Sequence, residues 1–153
     1  MLNTAIIRDL QPSDLDDFIG LCQQHAEFEH SEYQVAGKKQ RLERHLFSSQ
    51  ATVQALVVEL DDKLIGYATF VPQFSTWDAE YYLYLDCLFL NDQSRGLGLG
   101  ESLMEAIKQR AKELNCHLIQ WQTPEFNTRA IKFYKRIGAI AKCKQRFFLS
   151  LKN

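Results

Sequence analysis

The strongest constraint in this chain lies between Tyr84 and Met104, where an apolar run, a polar break, three alternate glycines and an amphipathic stretch follow one another. Strand, glycine loop and helix in that order build an anion site. Glycines let backbone N–H groups converge on a negative group, and the N-terminus of the helix adds a favourable dipole. Gly96, Gly98 and Gly100 give G-x-G-x-G. The dinucleotide fingerprint needs G-x-G-x-x-G, and the Walker loop ends in Gly-Lys-Ser/Thr, whereas Glu101 follows Gly100 here. Both readings fail. What remains is Arg95-x-x-Gly98-x-Gly100, either a phosphate loop of another kind or a plain glycine turn between strand and helix.

Hydrophobic periodicity places the other elements. Thr4 to Arg8 reads as a first strand. Ser13 is a good N-cap for a helix carrying Leu15, Phe18, Ile19, Cys22 and Ala26 on one stripe and ending near Phe28. Lys38 to Phe47 reads as a second helix. Val53–Leu60 and Lys63–Phe74 form a hairpin about Asp61-Asp62, and a third strand runs from about Tyr81 to Leu90. The helix after the glycines carries Leu99, Leu103, Ile107, Ala111 and Leu114. Cys116–Thr123 reads as a strand stopped by Pro124, Asn127–Ile137 as a helix closed by Gly138 at C′, and Ala139–Leu151 as one long strand or two short ones. The order is βααβββαβαβ. It implies one α/β domain over residues 1–153, a twisted mixed sheet with helices on both faces.

Composition narrows the class. With 46% apolar residues in 153, the chain has material for a substantial core. No apolar run approaches a membrane span, and Arg8 and Asp9 precede any long apolar stretch, so neither a membrane segment nor a secretory leader is expected. Cys22, Cys87, Cys116 and Cys143 show no C-x-x-C or Cys/His spacing. No disulfide framework and no metal site are expected, and a cytoplasmic location is the default. The net charge of −1 hides an asymmetry: residues 1–90 hold 6 basic and 14 acidic side chains, residues 91–153 hold 12 and 5. Either these are solvated helix faces, or the C-terminal half meets an anion and the N-terminal half a cation. Glu27-Phe28-Glu29-His30-Ser31-Glu32-Tyr33 could wall a cationic substrate or be an ordinary loop. The basic residues lack aromatic interleaving, so nucleic acid is not an expected partner.

A second motif, Asn127-x-x-Ala130-x-x-Phe133-Tyr134-x-x-x-Gly138-Ala139, follows the glycine loop. With both motifs in this order, the chain resembles the GNAT superfamily of N-acetyltransferases over nearly its whole length. Closer still is the diamine (spermidine/spermine) N-acetyltransferase branch. Arg95-Gly-Leu-Gly-Leu-Gly100, Phe133-Tyr-Lys-Arg-Ile-Gly-Ala139 and Tyr84-Leu-Asp86 resemble that branch's segments, and Ala26-Glu-Phe-Glu29 resembles a shorter one near its first helix. There are departures. Asp86 stands for a glutamate, Cys87 for a second acid, and Arg146 for an expected acid.

The resemblance implies a GNAT-like acyl-CoA N-acyltransferase fold and acetyl-CoA as co-substrate. The acetyl group would go to a primary amine of a small cationic molecule: a polyamine, a diamine or a lysine-like amino acid. Such an amine arrives protonated, a handicap of about 4.6 kcal/mol at neutral pH. Asp86 is the candidate to take that proton and position the ammonium, with Phe28 and Glu29 beside the substrate. The Leu88 amide would serve the acyl carbonyl oxygen at a splay in the strand, with Phe89 and Leu90 along the pantetheine arm. Arg95, Gly96, Leu97, Gly98, Leu99, Gly100 and Glu101 would hold the pyrophosphate, with the Glu101 side chain turned to solvent, and Asn127, Ala130 and Phe133 would form a second cofactor contact. Tyr134 would donate the proton to the leaving thiolate. Cys87 as a direct nucleophile is the competing mechanism. A homodimer using the Phe147–Leu149 strand is also implied. Competing functions are acetylation of lysine or N-termini in proteins and peptides, and CoA sensing without turnover.

Overall fold

In a computed structural model the chain is described over residues 4–152 and divides into two compact units, one up to Gln122 and one from Thr123. The first unit contains β1 (Ile6–Asp9), α1 (Leu15–Phe28), α2 (Lys38–Phe47), β2 (Gln54–Leu60), β3 (Lys63–Ser75), β4 (Glu80–Leu90), α3 (Leu99–Glu113) and β5 (Ile119–Gln120). Its sheet has the order β1-β2-β3-β4-β5. The first three pairings are antiparallel and β4–β5 is parallel. The second unit carries α4 (Thr128–Arg136). This is the mixed sheet the alternation of patterns predicts.

Strand alternation assigns the two faces. Val57 and Tyr67, paired across β2 and β3, cluster with Leu15, Phe18 and Leu21 of α1, with Leu42 and Leu46 of α2 packed against them. Their neighbours Val58 and Ala68 are fully buried on the other side, where α3 contributes Leu103, Met104 and Ile107.

Three expectations are corrected. Ser13 is not the N-cap of α1; it lies inside a 3-10 turn, Pro12–Asp14, and Asp14 takes the cap position without capping by its side chain. The carboxylate is drawn outward instead, accepting from Arg8 Nη1 at 2.7 Å and from the Gln11 backbone N–H at 2.7 Å. Residues 139–152 form no strand. A strand needs a neighbour for its N–H and C=O groups, and the ladders among the described residues leave this segment none, although its sequence suits a pleated conformation. The strand read over 116–123 is shortened to Ile119–Gln120 for the same reason: only Leu83 and Tyr84 of β4 pair with it.

Candidate active site

The site is built on β4. Between Phe70↔Leu85 and Thr69↔Cys87 the β3–β4 register slips, so Asp86 is one residue more than β3 can pair. A bulge of this kind turns consecutive side chains toward one side. Here it brings Cys87 Sγ to 3.7 Å from Asp86 Oδ2. The parallel pairing with β5 ends at Tyr84↔Gln120, so residues 85–90 have no ladder on that edge among the described residues. The bulge at Asp86 thus lies just past the end of the β5 ladder, with Leu88, Phe89 and Leu90 beyond it. Gly66, opposite Leu90, lets the strands approach: a Cβ there would run into the Leu90 side chain and lie 2.9 Å from the Phe89 carbonyl oxygen.

Toward α1, Asp86 and Cys87 adjoin a cluster that sequence reasoning missed. Tyr67 and Phe89 pair across β3–β4 and share a face. His25 of α1 stacks on Phe89, with centroids 5.1 Å apart, and its Nδ1 lies 2.7 Å from the Tyr67 hydroxyl. His25 Nε2 lies 2.6 Å from Glu29 Oε2, one turn along the helix. Burial pushes the Tyr67 hydroxyl far up, with nearby Cys87 and Cys22 adding to it, so Tyr67 stays protonated and donates. Burial, followed by the charge of Asp86, pushes the Cys87 thiol up to about 12. A thiol so placed is a poor nucleophile, which removes the support for an acetyl-cysteine route. The Thr69 hydroxyl, opposite Cys87, is buried without a full hydrogen bond. The available signal for this cluster was spacing: Cys22, His25 and Glu29 fall on one side of α1.

Glu29 belongs to this cluster through His25. Phe28 is half exposed at the last residue of α1, and the ring contacts run through Phe18, Tyr67 and Phe89 instead. The acidic segment after Phe28 does border a cleft of about 350 Å³, lined by Glu27, Glu32 and Tyr33 among others. The face of Tyr33 is already used, with Lys38 Nζ 3.7 Å from the ring centroid.

The glycine loop fits a pyrophosphate. Gly96 and Gly98 have φ of +75° and +68°, and nothing lies within 4 Å of where a Cβ would stand at either. Glycine is needed there for the backbone, and the space beside it is open. Gly98 is the N-cap of α3 and no side chain caps that end, so the first-turn N–H groups are available to an anion. Arg95 pairs with Asp92 Oδ1 at 2.7 Å, and both are exposed. Such an exposed pair contributes little. The Glu101 side chain is exposed and Leu99 is buried beneath the loop. Among the described residues no cluster of three or more His, Cys, Asp or Glu could hold a metal ion, and no helix is long and apolar enough to cross a membrane.

The second unit carries the other motif. Asn127 Nδ2 donates to Thr123 Oγ1 at 3.0 Å, fixing the entry to α4 instead of capping it. Phe133 and Tyr134 have ring centroids 5.6 Å apart, and Arg136 lies over Phe133. The helix ends with Ala139 N–H donating to the Tyr134 carbonyl at 3.0 Å and Gly138, at φ +98°, donating to Lys135.

The sheet is mixed, its fourth strand is bulged, and a glycine turn leads from it into α3. The sequence profile of the acetyltransferase (GNAT) family matches residues 15–139, across both units, and the chain belongs to that family; it is an N-acetyltransferase. The chain is 26% identical over 141 residues to a thialysine N-epsilon-acetyltransferase of Mus musculus, covering 87% of this chain and 82% of that protein. It is 31% identical over 78 residues to a spermine/spermidine N(1)-acetyltransferase of Bacillus subtilis, covering 49% and 51%. In fold it resembles an aminoglycoside N-acetyltransferase solved in complex with CoA, with a TM-score of 0.81, 17% identity and coverage of 99% and 98%.

Proposed function

We propose that this chain is one catalytic domain that transfers an acetyl group from acetyl-CoA to a primary amine of a small cationic substrate, such as a polyamine, a diamine or a lysine-like amino acid, by direct attack in a ternary complex. The observation that carries the reading is the coincidence at Asp86 of a bulge and a carboxylate open to solvent, just beyond the end of the β5 ladder. The names of the thialysine and spermine/spermidine relatives support the choice of amine.

When bound, acetyl-CoA supplies the thioester whose acetyl group is transferred. The chain's own residues do the rest. Gly96 to Glu101 offer backbone N–H groups to the pyrophosphate, and Arg95 exchanges Asp92 for it. Leu88 offers its N–H to the acyl oxygen, and Phe89 and Leu90 line the pantetheine arm. Asp86 holds the ammonium and takes its proton, with Glu29 adding negative charge on the acceptor side. Tyr134 gives a proton to the leaving sulfur, and Asn127, Ala130 and Phe133 flank the cofactor. Cys87, half-buried on β4, stays a thiol.

A homodimer belongs to the same proposal. Ile140, Phe147, Phe148, Leu149 and Leu151 are 80–92% exposed, a run that a soluble chain covers with a partner. The acetylation reading is tested by CoA release with each class of amine, and the dimer by sedimentation.

A further inference from the structure

Glu29 is the C-cap of α1, where its carboxylate meets the negative end of the helix dipole. The helix itself does not favour an acid there, yet the side chain is held. Glu29 Oε2 lies 2.6 Å from His25 Nε2, and His25 Nδ1 lies 2.7 Å from the Tyr67 hydroxyl. The His25 ring also stacks on Phe89, with the two planes 18° apart. Tyr67 is 2% exposed and packs edge-on against Phe18 of the core. The frame thus runs from the buried sheet outward. His25 is 15% exposed at its middle and Glu29 32% exposed at its end. Among the described residues no lysine or arginine pairs with the Glu29 carboxylate. Phe89 ties the frame to the proposed chemistry. It lies on β4 three residues beyond Asp86, so the ring that holds Glu29 rests on the strand that carries Asp86.

We propose that His25 is a positioning residue for the acceptor: bonded between Tyr67 and Glu29 and stacked on Phe89, it fixes the Glu29 carboxylate to bind a second positive charge of the amine substrate, the one that does not react. The proposal rests on the amine-acetylation reading above and narrows its substrates to dications. In this role His25 touches neither amine nor cofactor and acts through Glu29. A free glutamate at a helix end samples many rotamers, and ordering it on the ligand would cost binding energy. A carboxylate already ordered by a core tyrosine and a histidine avoids that cost. An i, i+4 pair that only steadied the end of α1 would matter equally for every substrate.

Two variants of different reach separate these roles. In His25→Gln the amide reaches the position of Nε2 and donates to Glu29. In His25→Asn the shorter amide reaches that of Nδ1 and bonds Tyr67 alone. Both lose the stack on Phe89. Each is assayed with putrescine and with butylamine, a diamine and a monoamine of equal chain length, at saturating acetyl-CoA. In His25→Asn the ratio of kcat/KM for the diamine to that for the monoamine should fall roughly 10-fold, through the KM for the diamine. His25→Gln should keep the parent's ratio. Glu29→Gln should lower the ratio as His25→Asn does, and the two changes together should be little worse than either. Glu29→Gln also carries the test if His25→Asn fails to fold. Equal losses on both amines, or the same ratio in His25→Asn and His25→Gln, mark a packing role for the ring and overturn the proposal. So does a parent that acetylates amines without preferring the dication. A parent that acetylates no amine of any class overturns the acetylation reading and this proposal together.

Discussion

Asp86 occupies the one place in β4 where the strand carries a residue its neighbour cannot pair. That makes its role testable apart from its charge. Asp86→Asn should keep the bulge and shift the half-maximal rate to higher pH, read from a kcat/KM–pH profile; an unshifted profile removes the carboxylate from proton transfer. Tyr134→Phe should lower kcat about 100-fold with the KM for acetyl-CoA nearly unchanged, as expected for a lost general acid. Arg8 provides a stability test away from the chemistry. It bonds Asp14 at 2.7 Å and Glu59 at 2.7 Å, all three being partly buried. The Arg8 hydrogen bonds hold the Asp14 carboxyl below the usual carboxylate range, against the opposing effect of burial. A depressed folded pKa stabilises fully above the unfolded value of about 4 and is lost as pH falls through the folded one. Arg8→Leu should therefore lose about 1–3 kcal/mol at pH 7, and its melting temperature should fall less steeply than the parent's as pH drops below 4. Asp86 and Tyr134 stand out in the sequence because motifs flank them, and their roles belong to the proposal. His25 and Tyr67 do not, because each reads alone as a core residue, and only the packing of α1 on β3 brings them together.

Three helices end the same way. In α1, α3 and α4 the residue after the C-cap adopts positive φ: His30 at 59°, Asn115 at 56° and Gly138 at 98°. In each, the next residue's N–H reaches back to a carbonyl five residues earlier: Ser31 to Ala26, Cys116 to Ala111, and Ala139 to Tyr134. This is the Schellman closure. Glycine at 138 announced it in the sequence, while His30 and Asn115 hid it, since either also suits a loop. Gly138→Ala places a Cβ in open space, so its cost is conformational, about 1–2 kcal/mol by thermal or denaturant unfolding. Gly66→Ala differs, because the new methyl meets Leu90 and the Phe89 carbonyl. It should cost about 1–3 kcal/mol by overpacking and also weaken CoA binding, the readout that ties Gly66 to the site. Helices with a clear apolar stripe and the β2–β3 hairpin were legible because their signals are local. The strand expected over 139–151 is absent, because pairing depends on a neighbour that no local pattern names.

At the scale of the whole molecule, the family match runs from residue 15 to 139 across both compact units. The charge asymmetry divides near β4, where residues 1–90 sum to −8 and residues 91–153 to +7. An acidic acceptor side and a basic cofactor side follow from that division on the proposed reading. The exposed apolar run at 147–151 belongs to this scale too. The parent should sediment as a dimer, and Phe148→Asp should shift it toward monomer; a parent that sediments as a monomer contradicts the dimer proposal. The most direct test of the central claim is acetyl-CoA-dependent CoA release measured against a panel of polyamines, lysine analogues, aminoglycosides and peptides, with N-acetyl product identified by mass. The account predicts turnover on a polyamine, diamine or lysine-like amine, at a rate exceeding that on peptides. CoA release no greater than background with every small amine, or acetylation confined to peptides, would contradict it.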